Sequence, residues 1–181
     1  MKFALFFIFI VMQRSMELLV ARRNEKRLKQ KGALEFGKRH YKYMVLLHTM
    51  FLAALLFEVQ LFQREISPLW PLLLLLFIGT QLLRVWAIAS LGEYWNTKII
   101  VLPNADVVAT GPYKWLRHPN YTVVILEILF IPFLFQAYIT AMLFTFLNGL
   151  ILYVRIQEEE KALSQITNYE EKFQNISRFT P

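Results

Sequence analysis

Long apolar runs dominate this chain and leave it few ways to fold. Residues 3–20, 43–62 and 68–88 are almost wholly apolar, and each is close to the roughly 20 residues that cross a hydrocarbon layer of about 30 Å. A fourth run, residues 121–154, would greatly overshoot a bilayer as one straight helix. It is expected to be two spans with a tight reversal near residues 132–138, where Gln136 is the single polar side chain. The reading is an all-α integral membrane protein of about five transmembrane helices and a single domain, residues 1–181. Charged residues make up only 18% of the chain, against about a quarter in a soluble domain. The first run starts like a signal peptide, but no small-residue cleavage site follows it, so it is expected to be retained.

The positions of Lys and Arg orient the spans. Nine of them lie between Arg22 and Lys42, whereas the short loop after span two holds only Arg64. Lys98, Lys114 and Arg117 follow span three; Arg155, Lys161, Lys172 and Arg178 follow span five. The expected topology puts the N-terminus outside and both large polar segments and the C-terminus in the cytosol. The net charge of +7 therefore points to a membrane surface and anionic lipid, not to nucleic acid. No cysteine is present, which excludes disulfides and thiolate chemistry, and His40, His48 and His118 are too scattered to form a metal site.

Ionisable groups inside spans are costly and need a reason. Arg14 and Glu17 share a helix face and are expected to pair and lock span one into the bundle. Glu58 is expected to be an interfacial carboxylate, His48 a hydrogen-bonded packing residue, and Arg84 a snorkelling side chain. Glu127 has no basic residue in helical register. It needs a partner, a proton or an aqueous cavity, and Asn148 on the neighbouring span is a candidate partner.

Two polar constellations flank the last apolar run. The first, GPYKWLRHPNY at 111–121, is stiffened by Pro112 and Pro119, with Asn120 a candidate N-cap for the following helix. Free N–H groups at the helix start and the faces of Tyr113, Trp115 and Tyr121 suit a nucleotide-like ligand. A rigid interfacial turn with an aromatic belt accounts for the same residues. The second, RIQEEEKAL at 155–163, is helical by its spacing, with Arg155 and Glu159 four apart. Such an acidic run is commonly a solvated helix face. It could equally bind an ammonium or ribose hydroxyls, or join Arg117 and His118 in a charge network. A helical hairpin places both constellations at the same membrane face.

These residues resemble the isoprenylcysteine carboxyl methyltransferases and their small bacterial relatives. The resemblance rests on LRVWAIASLGEYWNTKIIVLPNADVVATGPYKWLRHPNY, the hairpin with Glu127, RIQEEEKAL and the closing RFTP. RRNEKRLKQKGALEFGKRHY looks like the same loop of the bacterial subgroup. The resemblance implies a membrane methyltransferase that uses S-adenosylmethionine, with its catalytic part at about 84–181. It implies a cytosolic cofactor pocket formed by the loop before span four and the C-terminal helix, and a lipophilic acceptor that enters from the bilayer. Carried over, Tyr113, His118, Pro119 and Tyr121 frame the cofactor, and Glu159 and Glu160 hold its polar groups. Arg155 lies near the acceptor, and Trp95 and Asn96 line the cavity, with Glu127 and Asn148 as further candidates for its wall. Only single glycines occur, so a soluble Rossmann-type domain is not expected.

Methyl transfer from a sulfonium is an in-line displacement, so alignment is the enzyme's main task. A carboxylate acceptor needs no base, and Arg155 could orient it; a phenol or enol would use His118 or a glutamate. A prenylcysteine and a long-chain lipid or pyrone both remain open as acceptors. Two other classes also remain open: an NADPH-dependent sterol-type reductase, and a non-enzymatic lipid-binding protein.

Overall fold

Residues 2 to 30 contain neither proline nor glycine, and they form one helix, α1 (Lys2–Gln30), in the computed structural model, which describes residues 2–174 and 176–179. At 1.5 Å per residue α1 is roughly 43 Å long, more than the hydrocarbon layer needs, so its basic last third stands clear of the apolar zone. The helix stops at Gly32 (φ 92°), where the Ala33 N–H bonds back to the Leu28 carbonyl at 3.0 Å. A short strand, β1 (Leu34–Phe36), then pairs antiparallel with β2 (Ile99–Val101), Leu34 opposite Val101.

Three more helices are long and apolar, α2 (Lys38–Leu61), α3 (Trp70–Leu91) and α5 (Tyr138–Ile166); with α1 they are the four with the length and composition to cross a membrane. Helical spans satisfy every backbone hydrogen bond internally, which lipid demands. The fifth expected span is α4 (Pro119–Leu134), apolar but only 16 residues, or roughly 24 Å. The expected hairpin is present, with its reversal at residues 135–137 and Gln136 at φ 54°. Its arms are unequal, not matched: α5 is 29 residues, and its polar second half continues past the start of α4. A short helix, α6 (Tyr169–Phe173), closes the described fold.

The core gathers Ile10, Phe51, Leu55, Phe77, Ile128, Ile131 and Phe144, with Phe6 against Phe77 at a ring separation of 5.2 Å. The outward faces stay apolar, with Met12, Phe57, Leu75 and Phe146 exposed, as lipid-facing surfaces are. Glu58 is not the interfacial carboxylate expected from its sequence position. It is buried and caps α5, accepting from the Thr140 N–H and hydroxyl at 2.7 Å each and from the Ile139 N–H at 3.3 Å. The unpaired N–H groups and the positive dipole of a helix start attract a carboxylate, and Arg64 balances its charge from 3.4 Å.

The buried Arg84 and Glu127 and the partly buried Arg14 and Glu17 form one cluster in the bundle. Arg14 and Glu17 pair at 2.6 Å, as their spacing implies. Arg84 does not snorkel: it is 5% exposed, donates to Glu17 at 3.0 Å and pairs with Glu127. Glu127 also pairs with Arg14 and accepts from the Gln81 amide at 2.6 Å. Its partners therefore come from α1 and α3, which register along α4 could not reveal. Asn148 is not among them, and its Oδ1 is buried without a hydrogen-bond partner. His48 bonds the Met44 carbonyl at 2.8 Å, the packing role expected of it.

Candidate functional site

At one end of the bundle the segment joining α3 to α4 meets the polar half of α5. Gly111 makes that approach possible. Its φ is 59°, and a Cβ there would fall 2.1 Å from the Ser90 hydroxyl on α3. The turn at Gly111–Lys114 then sets Tyr113 inward, while Trp115 packs edge-on to Trp86 at 5.7 Å. His118, not Asn120, holds the N-cap position of α4, and Pro119 begins the helix, where its missing N–H costs nothing. The Asn120 side chain points elsewhere and donates to the Tyr113 hydroxyl at 2.7 Å.

Seven of the expected site residues converge here, Pro119 among them. Arg155 is 3% exposed; its Nε donates to the Tyr121 hydroxyl at 3.0 Å and its Nη2 to the Thr97 carbonyl at 3.1 Å. The Tyr121 hydroxyl donates in turn to Glu159, which lies 3.8 Å from Arg155 Nε. Beside this triad, Glu160 accepts from Arg178 Nη2 at 2.5 Å and Nε at 3.0 Å and from the Tyr169 hydroxyl at 3.3 Å, and His118 Nε2 lies 3.0 Å from it. The His118 and Tyr121 rings stack at 5.3 Å. Tyr113 completes the group: burial first, and then the Glu159 charge, push its phenol well above the ordinary range. It is therefore neutral at physiological pH and not a base.

The chain's last described residues brace this corner. Arg117 donates from its backbone N–H to the Ser177 carbonyl at 2.9 Å and from Nε to the Ile176 carbonyl at 2.5 Å. The Glu160 carboxylate, its hydrogen-bond partner, raises the pKa of Arg178. Of the RFTP motif, Thr180 and Pro181 lie outside the described residues. Among the described residues His118 meets the acids directly, at Glu160, and Arg117 turns to Tyr169 and the tail carbonyls.

The cavity-wall candidates separate. Trp95 lines a groove of about 400 Å³ between α1 and α3, walled by Phe9, Met12, Met16, Val85 and Ile88 and by Gln13, Glu17 and Arg84 of the ion cluster. Asn96 lies beside it and donates to the Ala21 carbonyl at 3.2 Å. Glu127 is outside the lining of this groove, held by the ion cluster, and Asn148 is on a buried face of α5. Among the described residues no group of His, Asp and Glu is placed to hold a metal ion.

His40, at the start of α2, had no role in the sequence reading. Its ring lies against the backbone of Ile151 on α5 and within electrostatic reach of Arg155, with Nδ1 buried and unpartnered. Arg155 Nη1 is also buried without a partner. The only sequence signal was its place in the loop that resembles the bacterial subgroup.

Fold and site together define a polytopic helical membrane protein with an ion-paired polar site where a span hairpin opens. The chain belongs to the isoprenylcysteine carboxyl methyltransferase family, which matches residues 72–165, from α3 into the polar half of α5. It is 48% identical over 156 residues to YpbQ of Bacillus subtilis (strain 168), an uncharacterised protein, covering 86% of this chain and 93% of that one. An uncharacterised protein of Haemophilus influenzae (strain ATCC 51907 / DSM 11121 / KW20 / Rd) is 31% identical over 150 residues, covering 82% and 87%. Membership makes this chain a multi-pass membrane methyltransferase.

Proposed function

We propose that the chain transfers a methyl group from S-adenosylmethionine to an oxygen of a lipophilic acceptor. The observation that carries this reading is the meeting of the two motifs: Tyr121 bridges Arg155 and Glu159 while His118 sits on Glu160. Their residue types suit the cofactor. Tyr113, Tyr121 and His118 offer aromatic faces to an adenine ring, Pro119 fixes the turn, and Glu159 and Glu160 offer carboxylates to ribose hydroxyls or the ammonium group. Glu160 already accepts from Arg178 and Tyr169, so Glu159 is the carboxylate with capacity left. The cofactor supplies an electrophilic methyl group on a sulfonium.

The protein's share is placement. Arg155 is anchored through Nε and Nη2, and its free Nη1 is a donor for the acceptor oxygen. Aligning that oxygen with the methyl carbon is worth several kcal/mol. Exclusion of water at this buried corner strips the nucleophile of solvent. The groove that Trp95 lines is apolar over most of its wall, which suits an alkyl or prenyl chain, while Gln13, Glu17 and Arg84 give it a polar stretch. A prenylcysteine and a long-chain phenol or pyrone both meet these demands. The basic loops orient the polar end toward the cytosol, where the cofactor is made, and put the N-terminus outside.

Titration of the detergent-purified protein with S-adenosylmethionine, with NADPH as control, tests the reading. Saturable binding of the first alone is expected. Binding of NADPH alone would move the chain to reductase chemistry. Failure of a folded sample to bind either would remove the site. Single cysteines introduced into this cysteine-free chain at Lys31 and Gln136 report orientation, with only Gln136→Cys expected to be labelled from outside intact cells.

A further inference from the structure

We propose that His40 takes the proton of the methyl acceptor, so that the reaction served is methylation of a hydroxyl acceptor, a phenol or enol, held against Arg155. This rests on the methyltransferase reading above and adds the base.

The other candidate bases of the site are engaged, and the capacity left on Glu159 is assigned above to the cofactor. His118 Nε2 faces Glu160, Glu160 accepts from Tyr169 and Arg178, and Glu159 accepts from the Tyr121 hydroxyl. His40 Nδ1 has no partner although it is buried, and neither has Arg155 Nη1. Buried polar atoms are rarely left unpaired, because each orphan costs about 1–3 kcal/mol. Two orphans within electrostatic reach of one another, an imidazole nitrogen and a guanidinium N–H, are complementary to an O–H that is becoming an oxyanion. A carboxylate acceptor would call on donors alone and leave the imidazole without use.

The placement of His40 is built into the fold. Gly37 at φ 59° turns the chain from β1 into α2, and β1 is paired to β2. Thr97 leads into β2 and ties both partners down, its hydroxyl 3.3 Å from the Tyr41 hydroxyl and its carbonyl 3.1 Å from Arg155 Nη2. Ile151, against which the ring lies, is one helical turn before Arg155 on the same face of α5. The charged groups that act on the ring are Arg155 and Glu158 on α5, and Lys98 lies over the neighbouring Tyr41 ring at 5.7 Å. Tyr41 is the titratable neighbour on its own helix.

In the reaction the acceptor O–H bond breaks toward His40 Nδ1 and the oxygen–carbon bond forms as the carbon–sulfur bond of the sulfonium donor breaks. A neutral thioether and a methyl ether result. The proton passes from His40 to water, so charge and atoms balance.

The test uses His40→Gln in the full-length protein in detergent, with S-adenosylmethionine and an alkyl-chain 7-hydroxycoumarin whose absorbance separates phenol from phenolate. The expected result has three parts. His40→Gln binds the cofactor within twofold of the parent, its kcat falls at least a hundredfold with KM changed less than threefold, and the acid limb of the pH–rate profile disappears. The bound coumarin should also be more ionised on the parent than on the variant at the same pH. A variant with the parent's pH profile and the parent's phenolate signal overturns the proposal. If His40→Gln does not bind cofactor, the parent decides: an acid limb with a midpoint between about pH 5 and 8 supports a histidine base, and a flat profile over that range overturns it. A parent that does not bind S-adenosylmethionine at all fails the methyltransferase reading itself, which is a different result.

Discussion

Two clusters of arginine and glutamate occupy this molecule, and they are built for different ends. In the interior cluster, Arg14 and Glu17 of α1, Arg84 of α3 and Glu127 of α4 neutralise one another inside the apolar bundle. All four come from the spans themselves. In the polar-end cluster, Arg155 and Glu159 of α5 meet Tyr121 of α4 and the Thr97 carbonyl, while Glu160 is held by His118, Tyr169 and Arg178. Here the helices are joined by loop and tail. The same residue types thus do opposite work. The first cluster ties three spans together within the bundle, and the second joins loop, helix and tail beside a small apolar cluster of Ala87, Tyr113, Tyr169 and Phe173.

The largest test of that contrast is Glu127→Ala. It leaves the buried Arg84 and the partly buried Arg14 short of a carboxylate and should cost about 3–5 kcal/mol of stability, read as a lowered melting temperature in detergent. Cofactor affinity per folded molecule should be unchanged. Loss of affinity in a sample that melts like the parent would break the division. Glu159→Gln should do the reverse, reducing kcat/KM about a hundredfold, or roughly 2.7 kcal/mol, with melting unchanged. Glu58→Ala removes the cap of α5 far from either cluster. A fall of about 1–2 kcal/mol in stability is expected by denaturation, with cofactor titration unaltered. Lys29→Ala sharpens the contrast from the other side. Lys29 binds Glu25 and Glu35 at 2.6 Å each on the polar surface and is 41% exposed, and the Lys29 ammonium holds the Glu35 carboxyl below its ordinary range. Its loss should cost less than about 1 kcal/mol, and that cost should shrink further in high salt.

Much of this was legible in the residues because it depends on local facts. The apolar runs marked the spans, Gln136 and Pro132 marked the hairpin, and the spacing of Arg14 and Glu17 marked their pair. The pairing of RHPNY with RIQEEEKAL across that hairpin led to the corner where Tyr121, Arg155 and Glu159 now stand. What stayed hidden was the pairing of charges between segments distant in the chain. Arg84 looked like a snorkelling side chain because Glu127 is 43 residues away, and Glu58 looked interfacial because its partners on α5 are more than 80 residues away. His40 looked unremarkable because nothing near it in sequence shows that Arg155 lies across the fold.

The sequence alone determined that this chain lives in a membrane as a helical bundle, and which motifs share one end of it. Hydrophobicity and helical period act over a few residues, and lipid leaves the backbone no alternative to internal hydrogen bonding. The tertiary structure decided which charge answers which, because a buried ion must be paired by whatever group the packing brings within reach. It also decided that α4 is short while α5 runs on past it. That difference carries Arg155, Glu159 and Glu160 out of the apolar zone to the turn that waits for them.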